Sequence, residues 1–133
     1  WSKWSKYTIG DDTPSKPVEP PALTSVKKDI TFPWGFAISG RRIGNTVTLN
    51  MNRTAQTITS QYENAIMPET IPEGFRPATD ANMIITANER HNIIGSGIFH
   101  LSSTGSIAMT SGITQTAIWT GTITYLTEDP MPK

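Results

Sequence analysis

The sequence contains no cysteine, which excludes disulfide staples, thiolate nucleophiles and thiolate metal sites. It also lacks an excess of charge of either sign. Its 11 basic and 11 acidic residues cancel, which removes the basic field on which nucleic-acid binding depends. No apolar run approaches the roughly 20 residues of a membrane-spanning helix, so insertion into a bilayer is not expected. No amphipathic stretch of helical length occurs either. The missing cysteine suits a product folded in a bacterial cytoplasm, even one that acts elsewhere later.

What is present is β-forming. At 133 residues the chain can bury a core without staples. Residues 46–53 (Thr-Val-Thr-Leu-Asn-Met-Asn-Arg) place apolar side chains at every second position, the period of a strand with one buried face. Residues 117–126 are rich in Ile, Thr, Trp and Tyr, which suit a pleated surface. Residues 36–38, 83–86, 98–101 and 106–110 are shorter strand candidates. Turn signals fall between the runs at Ser39-Gly40, Gly44-Asn45, Gly95-Ser96-Gly97 and Ser103-Thr104-Gly105. In 56–66 a mixture of strand and loop is expected, and Pro68, Pro72 and Pro77 speak against regular structure beyond it. Residues 73–77 predict a turn with Phe75 buried and Arg76 held by local acceptors. The fold class is therefore all-β, an antiparallel β-sandwich or barrel.

Ahead of this head, residues 11–21 hold four prolines among small polar and charged residues, the composition of an extended spacer. The expected organisation is a short N-terminal extension and proline-rich linker over 1–22, then the head over 23–133. Residues 1–9, which carry Trp1 and Trp4, read as the end of a preceding module.

A search for chemistry finds none. Glycan hydrolysis needs two carboxylates facing one another, and the acidic residues are scattered with none at mid-strand. There is no Gly-x-Ser-x-Gly elbow and no phosphate loop. The two histidines, His91 and His100, are nine residues apart on opposite sides of the 95–97 glycines, so no metal site and no cofactor are expected. A binder's inventory remains: aromatic faces for sugar C–H surfaces, and polar groups for hydroxyls. Asn88-Glu89-Arg90-His91-Asn92 is the densest polar cluster of the head. His100 should project from the face opposite Phe99 and Leu101. Of the neighbours Ile118 and Trp119, only one can face the core. Trp34, Tyr62 and Tyr125 are further aromatic candidates, and Arg41-Arg42 could meet an anionic ligand.

The Trp1-Ser2-Lys3-Trp4 opening resembles endings common to repeats in phage tail and baseplate proteins. The order that follows is a Gly44-Asn45 turn into an alternating strand, Gly74-Phe75-Arg76-Pro77, Phe99-His100-Leu101, Gly105-Ser106-Ile107 and a final Thr/Gly/Tyr strand. Over roughly residues 23–127 it resembles the C-terminal head of receptor-binding proteins from siphophages of lactic-acid bacteria. The resemblance implies a non-enzymatic adhesion head, trimeric about a fibre axis and carried on the virion beside other tail and baseplate proteins. Its implied ligand is a saccharide of the host cell wall. It implies a saccharide site at Asn88, Arg90, His91 and His100. The chain departs from the family where an acidic residue and an aromatic are common, holding Ser102 and Ala108 or Met109 instead. Trp119 is then the candidate stacking aromatic. The alternatives are a structural tail or baseplate module and a glycan depolymerase.

Overall fold

A computed structural model describes residues 24–132; the expected extension and linker over 1–22 lie outside them. The described chain is all-β, with one 3-10 turn and no α-helix. Eight strands follow in order: β1 (Ser25–Phe32), β2 (Phe36–Ile43), β3 (Thr46–Thr57), β4 (Tyr62–Thr70), β5 (Ala81–Glu89), β6 (Asn92–Leu101), β7 (Ser106–Ser111) and β8 (Thr116–Leu126). All pairings are antiparallel, in one sheet of order β1-β2-β3-β8-β5-β6-β7-β4, curled into a half-barrel.

Strand alternation sends one face inward. Ile30, Phe32, Phe36, Ile38, Val47, Leu49, Met51, Met83, Ile85, Phe99, Leu101, Ile107, Met109 and Trp119 are buried together. The curl brings the first strands over the later ones. Phe32 meets Phe99 edge-on with ring centroids 5.1 Å apart, and Phe36 meets both Phe99 and Trp119. Such edge-to-face contacts each add roughly 0.5–1.5 kcal/mol beyond area burial.

The strands set two ends. At the near end the chain enters and leaves side by side: the Gly44 N–H donates to the Thr24 carbonyl and the Thr127 N–H to the Asn45 carbonyl. The turns at 33–35, 58–61, 90–91 and 112–115 lie at the far end.

A polar clasp closes the near end. Arg42 is 2 % exposed, and all five of its guanidinium N–H groups are matched by acceptors. It donates to the carbonyls of Gly44 (2.8 Å), Gly74 (2.8 Å), Pro130 (3.2 Å) and Asp129 (2.8 Å) and to Asn45 Oδ1 (3.3 Å). Beside it, Arg76 grips the Asp129 carboxylate with Nε and Nη2, the shortest contact being 2.9 Å. Asp129 Oδ2 also accepts the Gly74 and Arg76 backbone N–H groups. The Arg76 guanidinium and these N–H groups hold the Asp129 carboxyl below its ordinary pKa, against its desolvation. The Tyr125 hydroxyl donates to the Phe75 carbonyl, and burial pushes its pKa up.

Ser39-Gly40 and Gly95-Ser96-Gly97 are not turns but lie inside β2 and β6. Gly97 is strand because β7 crosses so closely: a Cβ there would lie 3.2 Å from Ser111 Cβ and from the Thr110 carbonyl oxygen. Pro68 falls within β4, an edge strand, where a missing N–H costs little. Phe75 is buried as expected, but Arg76 is held chiefly by Asp129, far along the chain, with Glu73 at 3.8 Å.

Candidate functional site

Because paired residues share a face, the register lays out the outer face of the sheet row by row. Asn82, His100, Ala108 and Ile66 form one row across β5, β6, β7 and β4. Ile84, Ile98 and Thr110 form the next. A cleft of about 500 Å³ opens along the first row, lined by polar groups of Asn64, Asp80, Asn82, His100, Ser102 and Ser106 and by an aliphatic floor including Ile66 and Ala108.

His100 sits at its centre, half-buried, with Phe99 and Leu101 in the core on either side as the alternation requires. Its Nδ1 lies 2.8 Å from Asn82 Oδ1 and its Nε2 2.7 Å from Thr110 Oγ1, while Thr110 Oγ1 accepts the Asn64 N–H at 2.8 Å. One assignment satisfies this network: Nδ1–H donates to Asn82, and the Thr110 hydroxyl donates to Nε2. Both ring nitrogens are then occupied by protein. His100 orients the Asn82 amide, whose NH₂ group stays free to donate into the cleft, rather than meeting a ligand itself.

The other residues expected around His100 are not there. Asn88 lies near the end of β5, and Arg90 and His91 form the two-residue turn that joins β5 to β6 at the far end. His100 is nine residues further along an extended strand, roughly 30 Å away at about 3.3 Å per residue. The glycines expected to fold the two together are interior to that strand. Asn88 Nδ2 donates to the Arg90 carbonyl at 2.7 Å, bracing a turn whose Arg90 has φ 58°. Arg90 and His91 are exposed.

Trp119 is corrected outright as a stacking aromatic. It is 0 % exposed and donates its Nε1–H to the Gln56 carbonyl, so no ring face is open to a sugar. Ile118 is the member of that pair that faces outward. Arg42, in the near-end clasp, is equally closed to an anion.

No protein-family model and no curated protein matches this chain. Among the described residues no cluster of three or more His, Asp or Glu is placed to hold a metal ion, and no helix is long and apolar enough to cross a membrane.

Asn82, Asn64, Thr110, Asp80 and Ser106 were not legible as site residues, because only the strand pairing makes them neighbours of His100. The signal that comes nearest is the Arg90-His91 turn. Counting outward from it, however, sets His100 opposite Ala81, whereas the bulge between Ala87 and Asn88 shifts the pairing to Asn82. A one-residue slip exchanges the two faces of a strand.

Proposed function

We propose that this chain is the adhesion head of a phage receptor-binding protein, a non-enzymatic module that recognises a saccharide of the host cell surface. The cleft around His100 carries the reading. It offers amide and hydroxyl groups beside an aliphatic floor, the mixture that meets sugar hydroxyls and sugar C–H faces. Among the described residues Asp80 is the single carboxylate lining it, and glycoside hydrolysis needs two on opposite sides of the bond. This favours binding over depolymerisation. The order of segments, which resembles siphophage receptor-binding heads, supplies the biological setting: assembly in the bacterial cytoplasm and a place on the tail tip or baseplate.

The reading includes a homotrimer beside other tail or baseplate proteins. In its support, β6, β7 and β8 carry no Lys, Arg, Asp or Glu, and β5 carries only its terminal Glu89. Their outer face exposes Ile84 (60 %) and Ile93 (69 %). A face without charge can meet a copy of itself with no like-charge repulsion.

The experiment is a screen of the protein against bacterial surface polysaccharides, repeated with Asn82→Ala and His100→Ala. Asn82→Ala removes a ligand hydrogen bond of about 1 kcal/mol and should weaken binding roughly fivefold, while His100→Ala only frees the Asn82 amide and should weaken it by less. Wild-type binding that neither substitution changes would remove this cleft from the reading. A wild type that binds no saccharide would leave a structural tail module.

A further inference from the structure

A second feature of the molecule is built for contact and lies away from the His100 cleft. At the far end the β1–β2 connection is a three-residue turn, Pro33-Trp34-Gly35, closed by the Phe32–Phe36 pair. Trp34 there has φ 62° and ψ 19°, the left-handed region, where glycine and asparagine are the ordinary occupants and a bulky aromatic is strained. The turn itself does not require an indole. Strain of this kind at a loop tip is characteristic of ligand contacts.

The indole packs on Tyr62, the first residue of β4, with ring centroids 5.2 Å apart and planes tilted by 56°. Both rings are half-buried, resting on the core at their inner edges while part of each stays open to solvent. Around them the chain is uncharged. Turn 33–35 and segments 56–62 and 111–117 contain no Lys, Arg, Asp or Glu, and Glu63 is the first charge beyond Tyr62. In their place stand amides and hydroxyls. Gln56 reaches over the Gly35 backbone, Gln61 donates to the Gly112 carbonyl at 3.3 Å, and the Thr57 and Thr116 hydroxyls lie 2.6 Å apart.

The pair is also well placed. Thr24 and Thr127 are both bonded to the Gly44-Asn45 turn, so the chain enters and leaves the sheet at the end opposite Trp34. The aromatic pair is thus at the end of the sheet opposite Thr24 and Thr127.

We propose that Trp34 and Tyr62 form a stacking site for a neutral pyranose, whose C–H face lies on the rings while neighbouring amides and hydroxyls meet its hydroxyl groups. The absence of charge in the surrounding segments selects a neutral sugar over a phosphate-bearing polymer. This rests on the adhesion reading and adds to it a second contact, at the far end.

The test uses an array of neutral hexose, N-acetylhexosamine and deoxyhexose oligosaccharides, with a glycerol phosphate oligomer as the anionic control. Trp34→Asn suits the left-handed turn but gives up the packing on Tyr62, so the variant is checked for the wild-type β-sheet circular dichroism, and its neutral-sugar binding should fall at least tenfold. Trp34→Phe keeps a ring, and should retain most binding while losing the change in tryptophan emission that the bound sugar produces in the wild type. Unchanged binding by Trp34→Asn overturns the proposal and leaves the adhesion reading standing. So does wild-type emission that no array-positive sugar alters, or binding confined to glycerol phosphate. A wild type that binds nothing on the array overturns both.

Discussion

Replacing Arg42 with methionine keeps much of the side chain's length but removes the charge and five hydrogen-bond donors. Five acceptors lose their partner: the carbonyls of Gly44, Gly74, Asp129 and Pro130, and Asn45 Oδ1. The bond to the Gly74 carbonyl is fully buried, and an unsatisfied buried acceptor costs about 1–3 kcal/mol. The other four bonds are part-buried, so their acceptors regain some water and lose less. A total of about 3–5 kcal/mol follows, about 1–3 kcal/mol from the buried Gly74 carbonyl and the rest from the four part-buried acceptors. For a domain of this size that is a fall in melting temperature of roughly 12–20 °C, at about 4 °C per kcal/mol. Arg42→Lys, with three donors in place of five, should fall between the two. Thermal and urea unfolding followed by circular dichroism would measure both. A shift below about 4 °C for Arg42→Met would refute the argument, because the carbonyls would then have rehydrated at no cost.

Two further outcomes follow from the clasp and the outer face. The folded-state pKa of Asp129 lies below its unfolded value of about 3.9, so its stabilisation is present above that value and is lost as pH falls through the folded pKa. Asp129→Asn should therefore lower stability at neutral pH and flatten the acid limb below about pH 4, read as melting temperature against pH; an acid limb unchanged in the variant would contradict the assignment. Ile84→Arg, on the uncharged outer face, should convert the proposed trimer to monomers in sedimentation while leaving the β-sheet circular dichroism intact. A trimer that survives the substitution would place the contact on another surface.

The alternating strands were readable because period two is a local property: 46–53 and 98–101 show it, and each is strand with the expected face inward, while 117–126, read as strand from its β-branched and aromatic residues, is strand as well. Phe99 and Leu101 flanking an outward His100 follow from the same rule. The glycines misled, because Gly40, Gly95 and Gly97 mark places where neighbouring atoms leave little or no room for a side chain rather than reversals of the chain. That depends on neighbours distant in sequence, which no local pattern carries. Trp119 illustrates a second limit. Alternation says that either Ile118 or Trp119 is buried, and the Phe36 side chain arriving from another strand decides which. The cleft was half legible. His100 was found from its own strand, while Asn82, Thr110 and Asn64 depend on a register displaced by a bulge. Arg42 reads as a surface charge in sequence, because its acceptors come from segments 32 to 88 residues away as well as from its own turn.

The position of β8 governs how this sheet can assemble. It is the last of the described strands along the chain, yet it lies between β3 and β5 near the middle of the sheet. Strands β1 to β3 can pair through short connections, and so can β5 to β7, but strand hydrogen bonds join the two groups only through β8. Residue 46 meets residue 126 across that seam. Until β8 arrives, β3 and β5 both present unpaired edges, and each can capture a strand from another chain. Closure of so many long-range pairs places folding towards the millisecond-to-second range rather than the microseconds of locally connected folds. On the ribosome the sheet cannot close before the segment ending at Leu126 has emerged. A chain that ended before Leu126 would lack this seam, and its β3 and β5 edges would stay open to other chains.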